Sequence, residues 1–418
     1  MRLTRRDALR YGLLGLGGLA GAGAFGYSCL KAFRSENPAS IFPGDAPSGE
    51  VWEQWRARGW AREGYHYISL GQNVECHICP NRCLLAPGDR SHCRNRVNKD
   101  GKLYTLAYGN PCAMHIDPIE KKPLFHFMPA SSAFSLATSG CPFRCLNCQN
   151  WEISQARPEE TKDPSGPELR PTPQGLAELT QETQRRYSLF PEDVAASAAH
   201  FRCDSIAYTY SEPTAYFEYM LDTCKLARAR KIKNVWISCG YMSGEALADL
   251  CKVLDGANVN LKSFSEDIYR ALNDGRLQAI LDTLKFLKEQ GVWFEVTNLV
   301  VPTYTDKPDM IKKMCDWLVA NIGPGYPLHF SRFFPMYKLA HLAPTPAEIL
   351  MKAREIAQNA GLHYVYIGNV RGLEDVENTF CPGCKKMVVQ RDVFDVTANH
   401  VKQGKCEFCN TKIAGVWA

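Results

Sequence analysis

From Phe134 to about Val370 the chain alternates between short β-branched or aromatic runs and longer segments whose apolar residues recur three and four apart. Seven runs predict strands: "AFSLATSG" (133–140), "SIAYTY" (205–210), "NVWISCG" (234–240), "NVNLKSF" (258–264), "WFEVTNLVV" (293–301), "PLHFSRF" (327–333) and "HYVYIGNV" (363–370). Between them, segments such as "TAYFEYMLDTCKLARARK" (214–231), "GEALADLCKVL" (244–254), "LQAILDTLKFLKEQG" (277–291) and "PAEILMKAREIAQNAG" (346–361) predict helices. Strand–helix alternation of this kind implies βαβ units and a parallel sheet. The expected class is α/β, a partial (β/α) barrel of about six strands over residues 129–372.

The flanks break the pattern. Residues 35–69 open with a Pro/Ser/Gly-rich linker, and "VWEQWRARGWARE" (51–63) predicts a short amphipathic helix. Residues 70–128 are loop-rich around the cysteines Cys76, Cys79, Cys83 and Cys93, 155–188 are polar and Pro-rich as expected of a surface insertion, and 376–418 carry the last four cysteines. At the start, "LTRRDALR" precedes seventeen uncharged, mostly apolar residues. Paired arginines before a weakly hydrophobic Gly-rich stretch form the pattern of a twin-arginine-type signal or anchor over residues 1–34. That predicts a cell-envelope or membrane-anchored protein, with a cytoplasmic one as the alternative.

Charge changes little once it is located. The chain has 49 Lys+Arg and 44 Asp+Glu, but six of the basic and one of the acidic residues fall within 1–34, leaving 43 of each sign. A neutral remainder speaks against nucleic acid as a partner, since phosphate binding needs a concentrated basic face. Cysteine changes the picture far more. There are 18, and twelve fall in clusters or beside them. Pairs two residues apart suit convergence on a metal better than disulfide cross-links. Cys203, Cys224, Cys239, Cys251 and Cys315 lie in apolar periodic segments and read as small buried hydrophobes.

The central cluster, "SGCPFRCLNCQNWE", follows the first predicted strand of the alternating region with Cys141, Cys145 and Cys148 at C-x3-C-x2-C. Reactive groups of parallel barrels sit on loops after strand C-termini. Three thiolates suit three irons of a [4Fe–4S] cube, with the fourth left open to a small chelator. A structural zinc knuckle completed by Cys112 is the alternative.

This spacing resembles the signature of radical S-adenosylmethionine (SAM) enzymes. Together with "CHICPNRC", "DPIEKKPLFHFMP", "CQNWEISQ", "AYTYSEPT", "HFSRFFPMYK", "YVYIGN" and a terminal two-CxxC module, it resembles the radical SAM component of the AmmeMemoRadiSam system, a group similar to pyruvate formate-lyase activating enzymes. The resemblance implies one [4Fe–4S] cluster on Cys141, Cys145 and Cys148. It also implies reductive cleavage of SAM to a 5′-deoxyadenosyl radical, and hydrogen abstraction from an unidentified substrate, with a protein preferred. A low-potential electron donor of the ferredoxin or flavodoxin type, and AMMECR- and Memo-family partners, follow from the same resemblance. Carried over by position, Glu212 would anchor the SAM amino group, with Tyr210, Ser211 and Pro213 shaping its pocket. Ser238, Lys262, Asn298 and His329 point to the same cofactor. Asn147 stands where an aromatic residue is usual, and Cys239 stands where Asn is usual.

Cys381, Cys384, Cys406 and Cys409 form two knuckles joined by a predicted hairpin, the pattern of a structural Zn2+ ribbon. Cys76, Cys79, Cys83 and Cys93, at C-x2-C-x3-C-x9-C, form a local set of four thiolates that fits zinc or an auxiliary iron–sulfur cluster. A rival to the enzyme reading is a non-catalytic iron–sulfur electron-transfer protein of the cell envelope.

Overall fold

The computed structural model describes residues 44–178 and 181–417; the signal-type segment 1–34 and the start of the linker lie outside them. Among the described residues no helix is long and apolar enough to cross a membrane. Helix α1 (Gly49–Ala57) stops short of its predicted end. Gly59 takes a positive φ of 70° and the Trp60 N–H returns to the Trp55 carbonyl at 3.0 Å, a glycine-ended stop. The chain then enters two small antiparallel sheets. Arg62–Glu63 pairs with Lys102–Thr105, and Tyr67–Leu70 pairs with Asn73–Cys76. Both pairings cross the boundary expected at residues 69/70, and the first of them starts eight residues before it, at Arg62.

Eight strands make the central sheet: β1 (Ala113–Pro118), β2 (Ser132–Ala137), β3 (Ser205–Tyr208), β4 (Lys233–Ser238), β5 (Gly256–Asn260), β6 (Trp293–Val300), β7 (Leu328–Arg332) and β8 (Val365–Gly368). They lie in the order β8-β7-β6-β5-β4-β3-β2-β1. Strands β2 to β8 run parallel. The seven predicted runs are these seven parallel strands, one more than the barrel of about six. The eighth, β1, pairs antiparallel with β2 and sits inside the segment assigned to the cysteine module. Its sequence, AMHIDP, has two exposed residues at its centre and no apolar run to mark it.

Helices cover the sheet. They are α2 (Pro191–His200), α3 (Phe217–Ala229), α4 (Gly244–Cys251), α5 (Leu277–Glu289), α6 (Pro308–Trp317) and α7 (Ala347–Asn359). Pro191 opens α2 at its first position, where its missing N–H costs nothing, and Asp193 accepts the Phe190 N–H at 3.1 Å. Helix α5 buries Ile280, Leu281, Leu284 and Leu287, one stripe at helical spacing. The insertion 155–188 is surface-exposed in part, but Lys162 is buried within it. Its ammonium donates to the carbonyls of Pro111, Gln184 and Tyr187 at 3.2, 2.7 and 2.8 Å.

After β8 the tail forms a three-stranded antiparallel sheet, with Met387–Asp392 and Asp395–Asn399 as its hairpin. It docks on the start of the central sheet. His126 receives the Val416 N–H on its carbonyl at 2.7 Å, and its ring bonds the Ala414 carbonyl and the Tyr366 hydroxyl, each at 2.6 Å.

Candidate metal centre

The loop after β2 carries Cys141, Cys145 and Cys148. Gly140 before it has φ +94°, and an added Cβ would lie 2.4 Å from Asn95 Oδ1 and 2.6 Å from the Cys93 carbonyl. Only glycine lets the loop pass that close to the N-terminal module. Each sulfur has a polar neighbour: the Phe143 N–H at 3.4 Å from Cys141, the Asn273 amide at 3.2 Å from Cys145, and the Ser154 hydroxyl at 3.0 Å from Cys148. Hydrogen bonds to cluster sulfurs are one of the levers a protein has on cluster potential.

Burial, then the neighbouring charges of Glu212 and Cys145, push the Cys141 thiol well above its ordinary pKa. Burial followed by Cys145 pushes Cys148 to about 11. Ligation uses the thiolate, so a metal bound here would release these protons. Burial works against the Lys262 ammonium, yet Cys145, Cys239, Cys148 and Cys141 outweigh it and hold its pKa above the usual lysine value. Lys262 is thus one cation within electrostatic reach of this group of sulfurs. Arg94 and Arg144 are both buried and within electrostatic reach of Cys141. The Asn147 and Asn273 side-chain oxygens and Arg144 Nε are buried without a partner among the described residues. Such orphaned groups beside a soft donor set fit a site meant to hold a further group.

The remaining expected site residues divide. Glu212, after β3, accepts Thr214 N–H and Oγ1–H at 3.1 and 2.7 Å and Ser238 Oγ–H at 2.7 Å on one oxygen, and Cys239 N–H at 2.8 Å on the other. Glu212 and Ser238 therefore tie the ends of β3 and β4 together, and Ser238 Oγ also takes the Gly240 N–H at 2.9 Å. Ser238, read from the sequence as a cofactor contact, donates its hydroxyl proton to Glu212 in that clamp. Tyr210 has a φ of 61°, a region that favours glycine. Its hydroxyl donates to Asp117 on β1, and its carbonyl takes the Asn150 amide at 2.7 Å. Ser211 Oγ–H bonds the Thr138 carbonyl at 2.6 Å, and Pro213 opens a short 3-10 helix. Asn298, near the end of β6, gives its amide to the Leu261 carbonyl at 2.7 Å while its buried oxygen has no partner among the described residues.

His329 is the clear correction. It is the second residue of β7, at the end opposite the cysteine loop. Its ring bonds Glu295 at 2.6 Å and packs on Phe125 and Tyr366. That is a structural carboxylate–imidazole pair at the sheet's base. Cys239 moves the other way: read as a buried hydrophobe, it neighbours Glu212, Cys141 and Lys262. The charged neighbour that bears on Cys112, the ligand considered for a zinc knuckle, is Lys162. Arg94, Arg144 and Asn273 carried no signal in the sequence, because only the folded chain brings them to the sulfurs.

At the tail, all four sulfurs of Cys381, Cys384, Cys406 and Cys409 lie within 4.8 Å of one another. Cys381 and Cys409 are 3.5 Å apart, Cys384 and Cys406 3.7 Å. The two knuckles repeat one geometry: Lys385 (φ 61°) and Asn410 (φ 64°) each follow the second cysteine and return an N–H to the carbonyl of the first, at 3.0 and 2.8 Å.

The model of the Radical SAM superfamily matches residues 135–318. Over 355 residues the chain is 42% identical to an uncharacterized protein of Methanocaldococcus jannaschii, covering 84% of this chain and 98% of that one. It is 23% identical over 183 residues to the pyruvate formate-lyase-activating enzyme of Clostridium pasteurianum, 44% of this chain and 67% of the relative. Among solved structures, a domain of a pyruvate-formate lyase-activating enzyme from Bacteroides vulgatus aligns with 40% of this chain and 99% of its own, at 15% identity and a TM-score of 0.35.

Proposed function

Since this chain belongs to the radical SAM superfamily, whose members use SAM and a [4Fe–4S] cluster, we propose that it is an activating-enzyme-like catalyst acting on a protein substrate. Cys141, Cys145 and Cys148 would hold the cluster. When bound, cluster and cofactor supply one-electron cleavage of the SAM sulfonium and hydrogen-atom abstraction. The chain's own residues position and shield. Phe143 N–H, Asn273 and Ser154 hold the three sulfurs. Lys262 sets a cation beside them, Asn298 offers its unused carbonyl oxygen, and the Glu212–Ser238 clamp fixes the loops above β3 and β4. Buried Phe143 and Tyr241, ring centres 4.8 Å apart, keep water from that side.

The observation that carries this reading is the triplet: three sulfurs on one loop at the C-terminal end of a parallel sheet, each with its own polar neighbour, and a lysine cation among them. Membership of the AmmeMemoRadiSam group, AMMECR- and Memo-family partners and a ferredoxin- or flavodoxin-type donor belong to the same proposal, from the sequence motifs. The test is anaerobic incubation of cluster-loaded protein with SAM and dithionite. Release of 5′-deoxyadenosine, abolished in Cys148→Ala, is expected; no release from protein with an intact cluster overturns the reading.

A further inference from the structure

We propose that Cys76, Cys79, Cys83 and Cys93 hold an iron–sulfur cluster and not a single zinc ion. All four line one small cavity, so they converge on a common volume. Their spread then separates the two metals. A tetrahedral zinc ion with Zn–S bonds of about 2.3 Å needs every pair of sulfurs about 3.8 Å apart. In the tail quartet two pairs stand at 3.5 and 3.7 Å, and among the described residues it is the one group of three or more cysteines whose sulfurs all lie within 4.8 Å of one another. No three of the N-terminal sulfurs do. A cluster distributes its thiolates over several irons bridged by sulfide, which holds them further apart around a filled centre.

The cavity wall supplies a second, independent observation. Arg96 lines it with a side chain that is 1% exposed. One nitrogen donates to Glu218 at 2.6 Å, while Nη2 has no partner among the described residues. A buried guanidinium N–H left unpaired is costly, and sulfide and thiolate sulfurs are the acceptors this cavity would contain. The sulfurs themselves carry cluster-type contacts: the His92 N–H lies 3.5 Å from Cys83, and the Ser91 hydroxyl 3.2 Å from Cys93.

The site adjoins the first one. Pro142, next to Cys141, lines the same cavity. Asn81 and Asn95 donate to the carbonyls of Pro142 and Ser139 at 3.1 and 2.6 Å. Arg94 and Arg144 lie within electrostatic reach of both Cys93 and Cys141. Two buried guanidiniums thus serve two thiolate groups at once.

The test counts metals in full-length protein isolated without air. One zinc per chain is expected, lost only in Cys381→Ser/Cys406→Ser. Cys76→Ala/Cys79→Ala should lose about half of the iron, as two Cys-bound clusters of equal size require, and keep its zinc. In Cys145→Ala/Cys148→Ala, which leaves the N-terminal quartet intact, iron should remain, and its reduced electron paramagnetic resonance signal should not change on adding SAM. Zinc loss without iron loss from the first variant, or no iron in the last, overturns the proposal. If the first variant fails to fold, the last still decides. A wild-type protein that keeps this metal distribution yet releases no 5′-deoxyadenosine would sink the proposed activity and leave this site standing.

Discussion

The two cysteine quartets at either end of the chain offer the same four ligands to different surroundings. The tail quartet sits on two copies of one tight turn, bordered by a small apolar cluster that includes Val388, Val389 and Ile413. Its sulfurs are already drawn together to the span of one ion. The N-terminal quartet is wrapped from a single stretch of chain and belongs to the main core, where Cys76 and Cys79 are buried with Phe143 and Tyr216. Its sulfurs face a cavity with a guanidinium N–H that has no partner among the described residues. Ligand identity and number therefore leave the metal undetermined; the backbone that spreads or gathers the sulfurs is what selects it.

The largest effect should come from breaking the tail. Cys381→Ser with Cys406→Ser removes two of the four convergent sulfurs of the proposed zinc site, and binding at a structural zinc site is worth on the order of 10 kcal/mol or more. Limited proteolysis should then cut within 376–417 while iron content is unchanged; an intact, protease-resistant tail would show that the metal is not what folds it.

Next is Arg96→Met, which strands Glu218, itself 0% exposed, without its partner. Losing one half of a buried ion pair costs about 3–5 kcal/mol. Denaturant unfolding should show that loss, with iron lowered and zinc unaffected. A near-wild-type midpoint would mean that Glu218 finds another donor.

A smaller change tests the contact between the two sulfur groups. Gly140→Ala must strain a positive φ and push against Cys93 and Asn95, at about 1–3 kcal/mol. It should lower iron retention at both N-terminal sites and spare the tail zinc. Equal loss at all three would point to global unfolding instead.

The mildest prediction concerns pH at the seam between tail and sheet. Burial lowers the His126 pKa from 6.5 to about 4, against the opposing pull of Glu295 and with Arg391 and His329 also disfavouring the charged ring. The unfolded chain binds a proton near 6.5 and the folded chain only near 4, so stability falls as pH drops through that window. The Glu295 carboxyl, held below its ordinary value by His329 and His126 against burial, acts in the same direction as its own lower range is reached. Thermal melts from about pH 7 to 4 should show the decline, and His126→Phe should flatten it.

Much of the frame was legible because it is buried on both faces. Every residue of β3 is inside, and such strands announce themselves as apolar runs. The edge strand β1 was not, since His115 and Ile116 are exposed and no alternation survives. The triplet was legible from spacing alone. His329 was misassigned because a strand looks alike at both ends; its partner Glu295 is two residues before Thr297, the register neighbour of His329. Ser238, Cys239 and Arg144 acquire their surroundings from segments far away in sequence, which local patterns do not encode. The choice of metal for Cys76, Cys79, Cys83 and Cys93 likewise depends on distances between sulfurs, and spacing in sequence does not fix those.

The most direct measurement is anomalous diffraction from anaerobically grown crystals, collected on both sides of the iron and zinc edges. The account predicts iron at Cys141/Cys145/Cys148 and at Cys76/Cys79/Cys83/Cys93, with zinc confined to the tail quartet. Zinc at the N-terminal quartet, or no iron at the triplet, would contradict it.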